Sequence, residues 1–272
     1  MNTPAALALA SAGLGVLFAL AWVLARRLDN YGLVDVAWSY AFALVAAGYA
    51  LAGAGWAPRR LVLGLLVGAW SLRLGTHLAR RVARLHPRED SRYAALRTRW
   101  GGRTASRMFL FFQAQAVSVV ILSVPFLLVA RHRATGFHPL EIASVLVALA
   151  GVTGESIADR QLAAFKRSSA GAGGVCDAGL WRWSRHPNYF FEWLVWVGFA
   201  LAAWPAPGGR LGMAAPLLIL YLILFVTGIP PTEQQLLRSR GDAYRRYQRG
   251  TSGFIPWPPR RASGPDTLHH QP

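Results

Sequence analysis

The sequence predicts an all-α protein, a multi-pass transmembrane bundle of about seven helices with its N-terminus outside, its C-terminus inside and short interfacial helices at the C-terminal end. Three observations predict it. Of 272 residues 54% are hydrophobic and only 15% charged, where a soluble domain charges about a quarter. Long uncharged runs reach the roughly 20 residues that cross hydrocarbon. Basic residues concentrate in alternate connections, as short cytoplasmic loops do.

Four runs are uninterrupted: Asn2 to Ala25, Val36 to Pro58, Met108 to Ala130 and Leu211 to Thr232. The first lacks a basic leader and is too long for a signal peptide, so it reads as a retained span. Three more runs carry polar residues: Leu61 to Leu78 with Arg73 and His77, Pro139 to Ala158 with Glu141 and Glu155, and Tyr189 to Pro205 with Glu192. With the N-terminus outside, the inner connections hold 23 of the 29 basic residues and the outer ones five. No linker composition divides the chain, so residues 1–260 read as one domain whose cofactor half is 139–260, and 261–272 as a disordered tail. Small residues such as Gly13, Gly15, Gly64 and Gly68 suit helix packing within one chain or between chains, which leaves the oligomeric state open.

The formal charge of +17 sits on loops beside helices, where topology and anionic lipid account for it, so nucleic acid is not an expected partner. The single cysteine, Cys176, excludes an internal disulfide and a cysteine-rich zinc site, and no metal site is expected. Ser168 to Gly174 reads as a plain Gly-rich loop; no strand precedes it, as a Rossmann phosphate loop requires. Pro230-Pro231 ends the last span. Thr232 and Gln235 suggest a capping box for a helix that runs to Gly241, followed by a second over Asp242 to Arg249. Phe254 to Pro259 then returns aromatic bulk to the membrane surface.

Chemistry concentrates in Ser184 to Trp193, which places Arg185, His186, Asn188 and Glu192 at the start of an apolar segment. Pro187 suits a helix's first turn, and Asn188 and Glu192, four apart, share a face. Intramembrane polarity of this kind is costly and marks a site. Glu155 and Asp159 share a face one span earlier; Arg185, His186, Arg160 and Lys166 are their candidate partners, and a salt-bridged helix end is the alternative. Asp35, Arg73 and His77 form a second set, readable as a substrate site or as an Asp-Arg pair that closes the bundle. Glu233, Arg238, Tyr244 and Tyr247 form a third, readable as a site or as an interfacial amphipathic helix. Together these predict a cytoplasmic mouth that binds a bulky anionic molecule with an aromatic part: Glu155, Asp159, Lys166, Arg185, His186, Asn188, Tyr189 and Glu192 from the helices, Arg238, Tyr244 and Tyr247 from the tail.

Ala158-Asp159-Arg160-Gln161, Gly179-Leu180-Trp181, Ser184 to Tyr189 with Glu192, and Gly241-Asp242-Ala243-Tyr244 through Tyr247 to Phe254-Ile255-Pro256 resemble the bacterial domain-of-unknown-function 1295 proteins of the steroid 5-alpha-reductase superfamily. Asp35 to Trp38 and Arg73 to Leu78 are consistent with it. The resemblance covers roughly residues 30 to 260. It implies a seven-helix reductase of the bacterial inner membrane, which holds NADPH in a cytoplasm-facing cavity and reduces a carbon-carbon double bond in a steroid-, sterol- or isoprenoid-like substrate that enters from the bilayer. Asn188, Glu192, Asp159 and Tyr247 match the family's cofactor residues by motif position; Arg238, Arg240 and Tyr244 are further expected contacts, and Glu155 falls where steroid reductases have an asparagine. Asp35 and His77 are the expected acids, oriented by Arg73. Three departures stand out: Phe191 in place of a small glycine, the missing asparagine in the 168–174 loop, and Trp70 at the place of a proton-donating tyrosine. A second implied reading is an S-adenosylmethionine-dependent methyltransferase, because isoprenylcysteine carboxyl methyltransferases share the Arg-His-Pro-x-Tyr turn and a glutamate-to-tyrosine tail. A third is a noncatalytic lipid-binding relative.

Overall fold

A computed structural model of the chain describes residues 3–168 and 173–259; most of the 168–174 loop and the tail beyond 259 lie outside the described residues. Among the described residues eleven α-helices follow in order: α1 Thr3–Arg27, α2 Leu33–Ala52, α3 Ala57–Leu85, α4 Ser91–Trp100, α5 Thr104–Leu122, α6 Val124–Arg131, α7 Pro139–Arg167, α8 Pro187–Ala203, α9 Ala214–Tyr221, α10 Ile229–Arg240 and α11 Asp242–Gly250. Among the described residues there is no strand, and one isolated parallel bridge joins Ser184 to Ser252. Six helical stretches are long and apolar enough to cross a membrane. The seventh expected span, α8, has 17 residues.

Proline chemistry explains where the elements differ from the expected runs. Met108 to Ala130 is two helices, because Pro125 has no N–H to extend the ladder and instead occupies the first turn of α6. Ser123 stands at that junction and donates to Val120 O at 2.9 Å. Near the C-terminus, a single π-turn over Leu222–Val226 ends the last apolar segment. Pro230 and Pro231 then fall in the first turn of α10 rather than after a helix, the position where a missing N–H costs least. Thr232 therefore does not cap: its hydroxyl donates back to Gly228 O at 2.8 Å. Gly241, at φ +51°, ends α10 and starts α11, a left-handed turn that glycine adopts without strain.

The chain forms two compact units, one within Met1–Ala148 and Trp196–Leu217, the other within Leu149–Val195 and Leu218–Pro272. In the first, α2 and α3 lie so close that a Cβ on Gly75 would stand 2.7 Å from the Tyr40 ring, and Tyr40 OH meets Thr76 Oγ1 at 3.0 Å. Lipid removes most of the hydrophobic drive between helices, so such packing and polar contacts hold them. An aromatic core fills the unit: Phe42, Trp70, Phe126, Trp196 and Phe199 are fully buried, and Trp70 meets Trp196 at 5.1 Å and Phe199 at 5.5 Å, edge to face. At the end formed by the starts of α3 and α7, Arg59 is 3% exposed. Its guanidinium pairs with Glu141 and donates to His132 O at 3.0 Å, Ala134 O at 2.6 Å and Gly136 O at 2.6 Å. Every arm of a buried charge is thereby satisfied, and the connection before α7 is tied down.

The second unit holds the C-terminal part of α7, the N-terminal part of α8 and the chain from Leu218 onward. Its α7 and α8 segments meet over two glycines. A Cβ on Gly151 would stand 2.6 Å from Val195 Cγ2, and one on Gly154 would overlap the Phe191 ring. Phe191, where the resemblance expects a small glycine, thus lies on a complementary glycine one helix away. Between α7 and α8, Trp181 Nε1 donates to Ala158 O at 3.0 Å and packs with Ala158 and Cys176.

Candidate functional site

The first turn of α8 is built from Ser184 onward. The Ser184 hydroxyl accepts from His186 N–H at 3.1 Å and donates to Phe254 O at 2.8 Å, which fixes the turn into Pro187. Asn188 follows at the second helical position. Its side-chain carbonyl is buried and has no hydrogen-bond partner among the described residues, a costly state for an amide oxygen. Glu192 is half-buried one turn on, on the same face. The Tyr189 ring stacks parallel on His186 at 5.4 Å, and its hydroxyl meets Thr232 Oγ1 at 3.2 Å. On α7, Glu155 is buried, Asp159 half-buried and Lys166 exposed.

Glu233 gathers the rest. One carboxylate oxygen accepts from Arg185 Nε at 2.7 Å, His186 Nε2 at 3.2 Å and Tyr244 OH at 3.2 Å. The other accepts from Gln248 Nε2 at 2.9 Å. Arg185 Nη1 also donates to Gln248 O at 3.1 Å and Thr251 O at 2.7 Å. Tyr247 donates to the carbonyls of Trp181 and Ser184. Burial raises the hydroxyl pKa of both tyrosines, and the negative charge of Glu233 adds to it at Tyr244. The backbone completes the latch: Arg185 N–H donates to Ser252 O at 2.8 Å and Trp257 N–H to Trp183 O at 2.9 Å.

The structure therefore brings Arg185, His186, Tyr189, Tyr244 and Tyr247 together, and commits much of their hydrogen-bonding capacity to Glu233, Thr232 and backbone carbonyls. The sequence reading placed Glu233 only in the tail set and not among the cofactor contacts. One signal marked it: it is the single acidic residue between Glu192 and Asp242. Arg238 is exposed and Arg240 half-buried on the last turn of α10.

The expected catalytic set lies in the first unit. Asp35 accepts from Arg92 Nη2 at 2.8 Å and from Tyr93 OH at 2.6 Å, so both its oxygens are engaged by α4. Arg92 also reaches Asp90 at 3.1 Å, and Arg81 reaches Asp90 at 2.6 Å. The arginine that meets Asp35 is thus one from α4, which the sequence reading left in a loop. Arg73 and His77 are half-buried one turn apart on α3.

These features define a helical membrane protein with a polar network at the cytoplasm-expected start of a short apolar helix. The chain belongs to the family described as "Protein of unknown function (DUF1295)", whose model matches residues 21–251. It is 36% identical over 86 residues to the Methanethiol S-methyltransferase of Mycobacterium tuberculosis (strain ATCC 25618 / H37Rv), covering 30% of each chain. It is 37% identical over 81 residues to Methanethiol S-methyltransferase 1 of Bradyrhizobium diazoefficiens, covering 29% of this chain and 25% of the relative. The match thus spans less than a third of the length of either relative. No solved structure matches the chain.

These relatives overturn the expectation of an NADPH-dependent reductase of a carbon-carbon double bond, since both carry the name of a methyl-transferring enzyme. Two physical features agree with the correction. Arg185, an arginine of the α8 turn expected to meet a dinucleotide phosphate, is held by Glu233 and two carbonyls. Trp70, which the resemblance sets where steroid reductases have a proton-donating tyrosine, is packed in the aromatic core.

Proposed function

We propose that the chain is a membrane-embedded methyltransferase that uses S-adenosylmethionine, with a thiol sulfur on a small apolar or lipophilic molecule as the methyl acceptor. Similarity to two S-methyltransferases supports the reading, and the observation on the molecule that carries it is the buried carbonyl of Asn188, one turn before Glu192 on the same face of α8. S-adenosylmethionine offers an ammonium, a sulfonium and ribose hydroxyls, all suited to acceptors and negative charge. Asn188, Glu192, Glu155 and Asp159 would supply acceptors and negative charge for such a ligand. Asn188 and Glu192 would hold the cofactor's hydroxyl or ammonium hydrogens, with Asp159 and Glu155 as the supporting charges on α7. Tyr244, Tyr247, Arg185 and His186 act through Glu233 and the Trp181–Ser184 backbone, and so fix where α8 begins.

When bound, S-adenosylmethionine supplies a methyl group on a sulfonium; the thiol sulfur gains that methyl, S-adenosylhomocysteine is left, and the thiol proton is released. The chain's own part is to bind, orient and exclude water, since a dry site strengthens each charge interaction and aligned reactants remove most of the entropic barrier. The test is thermal stabilisation of the purified full chain in detergent. S-adenosylhomocysteine and S-adenosylmethionine should raise the melting point, because a ligand that binds the native state stabilises it. Asn188→Ala should weaken that binding roughly tenfold, the value of one or two lost hydrogen bonds. No stabilisation by either ligand would refute the reading.

A further inference from the structure

We infer that α11 and the segment after it form an interfacial anchor for an anionic phospholipid surface. This inference does not depend on the chemistry proposed above. Helical spacing divides α11 into two faces. Tyr244, Tyr247 and Gln248 turn inward to Glu233 and the backbone of the second unit. Asp242, Arg245, Arg246 and Arg249 fall at i, i+3, i+4 and i+7 and are all exposed. The single aspartate pairs with Arg245 at 2.8 Å, so the exposed face carries a net positive charge set by Arg246 and Arg249.

Large apolar side chains stand beside this face. Trp257 is 68% exposed, Ile255 59% and Trp183 45%, and the two tryptophans are held by main-chain contacts: Trp257 N–H on Trp183 O, and Ser184, next to Trp183, bridged to Ser252. Rigidly presented tryptophans next to arginines suit the headgroup layer, where the rings sit at the interface and the guanidinium groups meet phosphate. Arg249, Gly250 to Gly253, Trp257 and Pro258 also line a hollow of about 390 Å³. It has room for one phosphate-bearing headgroup, and its lining includes a cation, Arg249, and an aromatic residue, Trp257. One short helix, α10, separates this face from the apolar segment that ends at Val226, where Phe225 is 67% exposed. A membrane surface is thus the occupant that both the charge and the apolar side chains select.

The test is hydrogen exchange of residues 242–258 in the full chain, carried in nanodiscs of phosphatidylcholine alone or of phosphatidylcholine mixed with phosphatidylglycerol. Protection should rise with the anionic lipid and fall as salt is added. Each juxtamembrane arginine contributes about fivefold to such attraction, so Arg246→Gln with Arg249→Gln should reduce the gain by on the order of tenfold or more, and the paired Arg246→Lys, Arg249→Lys variant should restore it. Trp257→Ser should lower protection in both lipid mixtures. Equal exchange in the two lipids, or a glutamine pair that behaves as wild type, would overturn the anchor. Protection that appears in detergent alone and grows with protein concentration would assign the face to a second copy of the chain, and would overturn it equally. Failure of this test leaves cofactor binding untouched, because none of the exchanged side chains is among the residues proposed to hold the cofactor.

Discussion

At the scale of single residues, the account turns on groups that are buried with charge or with an unused acceptor. Glu233 neutralises Arg185 and accepts from His186, Tyr244 and Gln248. Glu233→Ala would strip a half-buried arginine of its counter-ion; removing one partner of a buried pair costs about 3–5 kcal/mol, and partial exposure puts this site at the low end. Thermal melts of the purified variant check it, and Glu233→Gln, which keeps one of the two acceptor oxygens, should recover part of the loss. Asn188 was legible from the sequence because proline in the first turn and the four-residue spacing to Glu192 are local signals. Glu233 was not, since its partners Arg185 and His186 lie 48 and 47 residues away, and no periodicity reports a contact of that range. The same holds for Arg59 and Glu141, 82 residues apart: Glu141 reads as an interruption in an apolar run and Arg59 as one of the basic residues of an outer connection, while in the folded chain each satisfies the other.

Elements show where packing overrides pattern. Gly154 on α7 receives the Phe191 ring of α8, so Gly154→Val should cost about 1–3 kcal/mol through overpacking. Phe191→Ala alone should cost roughly 3–5 kcal/mol by leaving a cavity. The double variant should be more stable than the sum of the two losses predicts, because the valine fills space the ring vacates; simple additivity in chemical denaturation would exclude direct contact. A second prediction concerns α11. Burial raises the hydroxyl pKa of Tyr247, with Tyr244 adding to it. The stability this hydroxyl contributes is therefore complete below the ordinary tyrosine value of about 10 and is lost as pH rises toward the folded value. Melting points should fall as pH rises above about 10, less steeply in Tyr247→Phe. The apolar spans themselves were readable from composition alone, as were α11 and its glycine boundaries. The break at Pro125 and the prolines inside α10 were not, because a proline signals only that a helix is interrupted or begun, and neighbouring packing decides which.

For the whole molecule, length, hydropathy and charge asymmetry were enough to define a helical multi-pass membrane protein, and the order of motifs was enough to identify its family. They did not separate one nucleotide cofactor from another, because the Arg-His-Pro-Asn-Tyr turn suits any ligand with a ribose. The proposed choice of S-adenosylmethionine rests on the names of the two relatives, and it uses Asn188, which keeps a buried acceptor, rather than Arg185, which is engaged by Glu233. The most direct test is isothermal titration of the full chain in nanodiscs with S-adenosylmethionine and, separately, NADPH. The account predicts saturable binding of S-adenosylmethionine, weakened in Asn188→Ala and in Glu192→Gln, and no heat from NADPH. Saturable NADPH binding with no response to S-adenosylmethionine would contradict it.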